Sequence, residues 1–80
     1  MKFTAYFKNK VLQKRPYIKM EWIEKALSEP VRIERQDEIK RIRYWVYIDE
    51  LDKYLRVIAL EDGETVHNAF PDRSFKLERQ

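Results

Sequence analysis

Residues 54–70, YLRVIALEDGETVHNAF, contain the strongest fold signal in the chain. Two runs of alternating, β-favouring residues flank the segment Glu61-Asp62-Gly63-Glu64, which holds the only glycine of the sequence. An Asp-Gly pair between such runs is typical of a β-hairpin, because a type I′ turn needs positive φ at both of its central residues. We therefore predict a hairpin with Asp62-Gly63 at its centre.

The register of this hairpin assigns its side chains to two faces. A two-residue turn at Asp62-Gly63 pairs Ile58 with His67 and Arg56 with Ala69. We predict that the more apolar face packs against the core. It carries Leu55, Val57, Ala59, Val66, Asn68 and Phe70. On the other face, Arg56 and His67 become diagonal neighbours, with backbones about 7–8 Å apart. A single β-bulge would move part of a strand to the opposite face.

Composition limits the protein to a few broad classes. The chain has 80 residues, a net charge of +3 and no cysteine. A chain of this length forms one domain with a small core, so we predict a single domain over residues 1–80. The lack of cysteine excludes disulfides and cysteine zinc ligands. No apolar run approaches the roughly 20 residues that span a bilayer, and the N-terminus lacks a signal-peptide pattern, so we expect a cytoplasmic protein with no membrane association.

The first part of the chain has helical periodicity. Apolar residues recur at helical spacing after Thr4, a potential N-cap, and predict a helix over residues 4–14. Alternating apolar residues over 2–7 also fit a short strand, which is the alternative. A second helix is predicted over residues 18–29, where one apolar stripe is flanked by charged residues, and Pro30 ends it.

Beyond Pro30 the apolar period changes from helical spacing to two. Residues 31–36 and 39–48 predict two strands joined by a turn at Asp37-Glu38. The predicted core-facing residues are Val31, Ile33, Ile42, Tyr44, Val46 and Ile48. The fold prediction is therefore an α+β domain in which two short N-terminal helices pack on one face of a four-stranded antiparallel sheet.

The opposite face of this predicted sheet is basic, with aromatic residues between the cations. Aligning the two hairpins by their core faces brings together Arg32, Arg41, Arg43, Trp45, Tyr47, Arg56 and His67. Guanidinium groups bind phosphates, and exposed aromatic rings stack on unpaired bases. The pattern predicts RNA-backbone contacts and base stacking, for which the candidate residues are Arg41, Trp45, Tyr47, Arg73 and Lys76. Alternatively, the C-terminal tail or a second subunit covers the aromatic residues, and the arginines surround them.

His67 is the only side chain here whose ordinary pKa lies near neutral pH. Beside an arginine that binds a phosphate, an imidazole can move the proton of an RNA 2′-OH while the cation stabilises the transition state. His67, Arg56 and Arg43 are therefore the candidate catalytic residues. The alternative is a structural role, which is common for a lone strand histidine. No second histidine or cysteine lies at ligand spacing, so we predict neither a metal site nor a cofactor.

Several segments resemble the RelE/ParE superfamily of toxin proteins and the small prokaryotic proteins related to it. These segments are WIEKALSEP at residues 22–30, LRVI at 55–58 and VHNAF at 66–70. The resemblance spans nearly the whole chain. It implies a RelE-like α+β fold, an mRNA-cleaving or growth-inhibiting activity, and a protein antitoxin as partner. The chain departs from the pattern at Tyr6, where related chains often have histidine, and at Asn68-Ala69-Phe70, where they often have Thr-Ala-Tyr.

These observations give three functional hypotheses. The leading one is a toxin-type, metal-independent endoribonuclease that acts on mRNA or at the ribosome. The second is a non-catalytic interaction module or homodimer that buries Trp45, Tyr47, Ile58 and Leu60. The third is an RNA-binding protein that does not cleave its ligand.

Overall fold

The computed structural model describes residues 1–77, which form an α+β fold around one mixed five-stranded sheet. The strands are β1 (Lys2–Phe3), β2 (Arg32–Gln36), β3 (Arg41–Ile48), β4 (Lys53–Leu60) and β5 (Thr65–Asp72). Their order across the sheet is β1-β5-β4-β3-β2. Neighbours from β2 to β5 are antiparallel, whereas β1 runs parallel to β5.

The predicted architecture, with a four-stranded antiparallel sheet, is therefore wrong. The fifth strand is β1, where Lys2 pairs with Thr65 and Phe3 pairs with Val66. Two residues are too few for alternation to identify a strand, and this pairing joins segments that are far apart in sequence. Part of each alternative for the N-terminus is present, because a short strand precedes a helix over residues 5–14.

Two helices lie between β1 and β2. The N-terminal helix, residues 5–14, has π-helical hydrogen bonding over Phe7–Val11 and α-helical bonding over Leu12–Lys14. Thr4 caps this helix, since its Oγ1 accepts a hydrogen bond from the Phe7 backbone N–H at 3.1 Å. The second helix, Met20–Ser28, ends shortly before Pro30. Within residues 1–77, no helix is long and apolar enough to cross a membrane.

The hydrophobic core lies between the helices and one face of the sheet. Its helical members are Phe7, Val11, Trp22, Ile23 and Ala26, and its sheet members include Ile42, Tyr44, Val46, Ile48, Leu55, Val57 and Ala59. The core faces of β3 and β4 are thus as predicted. Val31 and Ile33 were predicted to face the core but are 42% and 53% exposed. They are exposed because β2 is an edge strand and the second helix packs on β3 and β4.

The connection between β2 and β3 is longer than predicted. It consists of a 3₁₀ turn at Asp37–Ile39 followed by Lys40, whose φ is 54°. Ile33 consequently pairs with Tyr44 rather than with Ile42. A shift of two residues leaves each side chain on its predicted face, because the side-chain period of a strand is two.

The predicted hairpin is present, but its turn and register differ from expectation. Gly63 has φ of 73° and Asp62 has no positive φ, so the predicted type I′ turn is wrong. The Gly63 N–H donates to the Leu60 carbonyl at 2.9 Å, closing a longer loop. Next to this loop Ala59 pairs with Val66, in agreement with the predicted register.

A β-bulge at His67 then shifts the remainder of β5 by one residue. Ile58 pairs with Asn68, and Arg56 pairs with Phe70 instead of Ala69. Ala69 is fully buried, so it occupies the core position predicted for its neighbours. The core assignment of Asn68 and Phe70 is therefore wrong, because the extra residue reverses the faces beyond it.

Candidate functional site

The structure separates the predicted site residues into distinct groups. Arg56 and Trp45 belong to a cluster centred on Asp72, here called the Asp72 cluster, which also includes Ser74 and Phe75. His67 instead contacts the N-terminal segment. The bulge moves His67 one further position from Arg56 along the ladder, so the predicted diagonal pair is not formed.

The Asp72 carboxylate is buried and accepts hydrogen bonds at both oxygens. Its Oδ2 accepts from Trp45 Nε1 at 2.9 Å and from Arg56 Nε and Nη2 at 3.0 and 2.7 Å. Its Oδ1 accepts from the Ser74 backbone N–H and hydroxyl and from the Phe75 N–H, at 3.1, 2.8 and 3.2 Å. Burial alone would raise the pKa of Asp72. The hydrogen bonds from Trp45, Ser74 and Arg56, with the Arg56 charge, hold that pKa well below its usual range.

Trp45 and Arg56 therefore have structural partners on the sheet face that was predicted to bind RNA. Trp45 is 2% exposed and stacks on Phe75 with ring centroids 4.9 Å apart. The Arg56 guanidinium lies over the rings of Trp45 and Phe70, at 5.3 and 5.0 Å. Trp45, a predicted stacking platform, is covered by the chain's own tail, as in the alternative interpretation of this face.

The other predicted RNA-binding residues near the tail are more accessible. Arg73 and Lys76 are exposed. The Tyr47 hydroxyl donates a hydrogen bond to the Asp52 carboxylate, and this bond raises the pKa of Tyr47. The Tyr47 ring also meets the Tyr54 ring edge-on at 5.3 Å. These side chains surround the tail rather than His67.

Arg41 and Arg43 occupy neighbouring positions on the same face of β3. Arg41 Nη1 donates to the carbonyl oxygens of Ile39 and Lys40 at 3.1 and 3.2 Å. Arg43 Nη1 lies 3.6 Å from Glu34 Oε1. The buried Arg43 Nε makes no hydrogen bond with any described residue. Both guanidinium groups are held by neighbours, yet each has more N–H donors than these contacts use.

His67 contacts two residues of the N-terminal segment. Its Nδ1 lies 3.0 Å from Thr4 Oγ1, and its ring stacks on Tyr6 with centroids 4.9 Å apart. The bulge and the parallel β1–β5 pairing create this arrangement, in which the Thr4 N–H also donates to the Val66 carbonyl at 3.0 Å. We call His67, Thr4, Tyr6 and Arg41 the His67 cluster, because Arg41 acts on His67 through its charge.

The electrostatic environment favours a neutral imidazole. Burial lowers the pKa of His67, and the positive charge of Arg41 lowers it further. With its proton on Nδ1, the neutral ring can donate a hydrogen bond to Thr4 Oγ1, which leaves the lone pair of Nε2 free. Such a neutral group can take up a proton at its free nitrogen, as a general base must.

Thr4 and Tyr6 were not predicted as site residues. The sequence around Thr4 predicts only a helix N-cap, and Tyr6 stands out only as a departure from the family pattern. Their approach to His67 depends on pairing between segments more than 60 residues apart in sequence, where the Thr4–His67 separation is 63. No local pattern carries that information.

Among residues 1–77, no group of three or more histidine, cysteine, aspartate or glutamate side chains is placed to hold a metal ion. Comparisons with protein-family models, curated proteins and solved structures find no match for this chain.

Proposed function

We propose that this protein is an endoribonuclease that cleaves mRNA by 2′-OH transesterification, with His67 as the proton-transfer group. The observation that carries the proposal is the His67 cluster, in which burial and a nearby arginine favour the neutral base. The Thr4 hydroxyl, 3.0 Å from Nδ1, orients the ring. This combination matches what proton abstraction from a ribose hydroxyl requires.

The proposed reaction needs only His67, the RNA and water. His67 takes the proton of the 2′-OH, and the resulting oxygen forms a bond to the adjacent phosphorus. The bond from phosphorus to the 5′-oxygen breaks, and that oxygen takes a proton from water. The hydroxide so formed removes the proton from His67 and restores the neutral base. The products are a 2′,3′-cyclic phosphate and a 5′-hydroxyl end.

Arg41 is proposed to stabilise the phosphate during this step, with Arg43 as a second backbone contact. Arg41 is the cation whose charge reaches His67, whereas the Arg56 guanidinium is bound to Asp72. Preorganised cations at the developing charge are a large source of rate acceleration. Arg56 is therefore assigned a structural role in place of the predicted catalytic one.

Tyr6 is proposed as the base-stacking residue. Its side chain stacks on His67, yet the residue is 47% exposed, so a base can reach the ring. Stacking on an aromatic ring contributes about 1–3 kcal/mol per base. Arg73 and Lys76 are proposed as more distant backbone contacts. The sequence resemblance to RelE/ParE toxins supports mRNA as substrate and a protein antitoxin as partner.

The first experiment measures cleavage of single-stranded RNA by the purified protein in the presence of EDTA. We expect products with 2′,3′-cyclic phosphate ends. Because general acid–base catalysis contributes about 10²–10⁴-fold, His67→Asn should slow cleavage by at least about 100-fold. Arg41→Met should weaken both binding and cleavage, while Arg35→Met, an exposed arginine on the other face of the sheet, serves as the matched control.

The second experiment expresses the same variants in a bacterium. The wild type should slow growth and deplete mRNA, and His67→Asn should not. RNA binding that falls with salt but leaves the RNA intact would replace cleavage with simple binding. Unchanged growth and mRNA with the wild type, or full activity of His67→Asn, would refute the proposal.

A further inference from the structure

The outer edge of the sheet at β2 carries exposed apolar side chains. Ile33 is 53% exposed and Val31 is 42% exposed, both on the face that carries the core in β3 and β4. Within residues 1–77, no strand pairs with β2 on the side away from β3. The opposite edge strand, β1, has two residues against five in β2, so β2 is the longer edge available for pairing.

We propose that two copies of the chain pair antiparallel along β2, about a two-fold axis at Ile33. The pairing joins the two sheets into one continuous sheet with five strands from each copy. Ile33 then faces Ile33 of the second copy, and Val31 faces Arg35. Arg32 faces Glu34 of the second copy, and this pair occurs twice because of the symmetry.

The charge sequence of β2 selects this register from the geometrically allowed ones. In an antiparallel pair, two opposed residues either both point their N–H and C=O groups at the partner strand or both point them away. A symmetric pair of identical strands must therefore be centred on a residue. Centring on Arg32, Glu34 or Arg35 places identical charges opposite each other, which is destabilising. Centring on Gln36 leaves most of the strand unpaired.

The Ile33 register also extends an ion pair that the single chain already contains. Arg32 Nε lies 3.2 Å from Glu34 Oε2 within one copy. The second copy adds its own arginine and glutamate on the same face, which gives four alternating charges. On the other face the two Ile33 side chains cover each other. Edge strands commonly use charges to prevent pairing, but here the charges of β2 complement those of a second β2.

The contact is small, so the dimer should be weak. Five residues per strand bury less than the roughly 1,600 Å² of a standard stable interface. We therefore expect dimerisation that depends on protein concentration. This proposal is independent of RNA cleavage, because β2 contributes no member of the His67 cluster.

The test uses the absence of cysteine from the sequence. In the proposed register, residue 33 is the only residue that faces the same residue of the second copy. Opposed Cα atoms in an antiparallel pair lie about 4.5 or 5.5 Å apart, within the range of a disulfide. Mild oxidation should therefore convert Ile33→Cys to a covalent dimer. Ile39→Cys, at a similarly exposed isoleucine just after β2, is the matched control and should not form a covalent dimer.

A second arm exchanges the charges. Arg32→Glu alone and Glu34→Arg alone place like charges opposite each other and should both be monomeric by sedimentation. An equimolar mixture restores both opposite-charge pairs and should form heterodimers. A wild type that stays monomeric at all accessible concentrations would overturn the proposal. Equal cross-linking of Ile39→Cys and Ile33→Cys would overturn it as well.

Discussion

Replacing Asp72 with alanine removes a buried acceptor that receives six hydrogen bonds. The buried Trp45 indole N–H then loses its partner, and the Arg56 guanidinium loses its counter-charge. Breaking a buried ion pair by removing one member costs about 3–5 kcal/mol. The Arg56 side chain is 21% exposed, which allows some hydration and points to the lower end of that range. We therefore expect a loss of about 3 kcal/mol.

This loss is large for a chain of this size. At about 0.05–0.15 kcal/mol per residue, the whole domain has an unfolding free energy of roughly 4–12 kcal/mol. Urea unfolding followed by tryptophan fluorescence at pH 7 measures the difference. Asp49→Ala, in the exposed loop after β3, is the control and should change stability by less than about 0.5 kcal/mol.

Arg56→Met separates the structural role of this arginine from the predicted catalytic one. The structural role predicts a loss of about 2 kcal/mol, because Asp72 keeps its bonds from Trp45 and Ser74 but loses its cation. The double variant, Asp72→Ala with Arg56→Met, should lose less unfolding free energy than the sum of the two single losses, since both substitutions remove the same interaction. Unchanged stability of Arg56→Met with lower RNA binding would refute the structural assignment, as would equal losses for Asp72→Ala and Asp49→Ala.

The pH dependence of this stabilisation has a defined sign. The pKa of Asp72 is depressed in the folded state, and an unfolded aspartate has a pKa of about 3.9. The contribution of the charged form is therefore complete above about pH 4–5 and is lost as the pH falls below the unfolded value. The stability gap between the wild type and Asp72→Asn should shrink on acidification.

Three further predictions concern His67, Phe75 and Gly63. In an NMR pH titration, the C–H resonances of His67, the only histidine, should give a midpoint below the ordinary pKa of about 6.5. Arg41→Met should raise this midpoint. A wild-type midpoint above 6.5 would contradict the described environment. Because this pKa is lowered, His67 should contribute full stability above about pH 6.5 and lose it as the pH falls toward the folded-state value. Phe75→Ala should expose Trp45, shift its fluorescence to the red and lower the unfolding free energy by about 1–2 kcal/mol. An unchanged spectrum would mean that the tail does not cover Trp45. Gly63→Ala should cost about 1 kcal/mol by urea unfolding, because φ is 73° and the added Cβ would lie 3.3 Å from the Tyr44 hydroxyl; unchanged stability would argue against that turn geometry.

Side-chain periodicity predicted the elements that pack in regular ways. The alternation in β3 placed Ile42 and Ile48 in the core, and the even register shift at Lys40 did not disturb it. The hairpin was visible because glycine follows aspartate between two β-type runs. A short strand near the N-terminus was predicted only as an alternative, over residues 2–7, and its pairing with β5 was not predictable, since Lys2–Phe3 is stabilised by residues far away in sequence.

The candidate site was predictable only in part. His67 was identified by its ionisation chemistry, but its neighbours Thr4 and Tyr6 come from the far end of the chain. The bulge was the decisive missing element. A polar Asn68 on an otherwise apolar face was its one sequence signal, because a regular ladder would have placed that amide in the core while the smaller Ala69 faced outward.

The bulge also makes the length of β5 a constraint on stability. A regular ladder would pair Tyr54 with Pro71, whereas the bulge pairs Tyr54 with Asp72 and so places the carboxylate on the face of Trp45 and Arg56. Deleting one residue between Gly63 and Asp72 would direct the aspartate toward the apolar interior. In related sequences, the spacing between these two positions should therefore tolerate insertions and deletions less readily than the intervening side chains tolerate substitution.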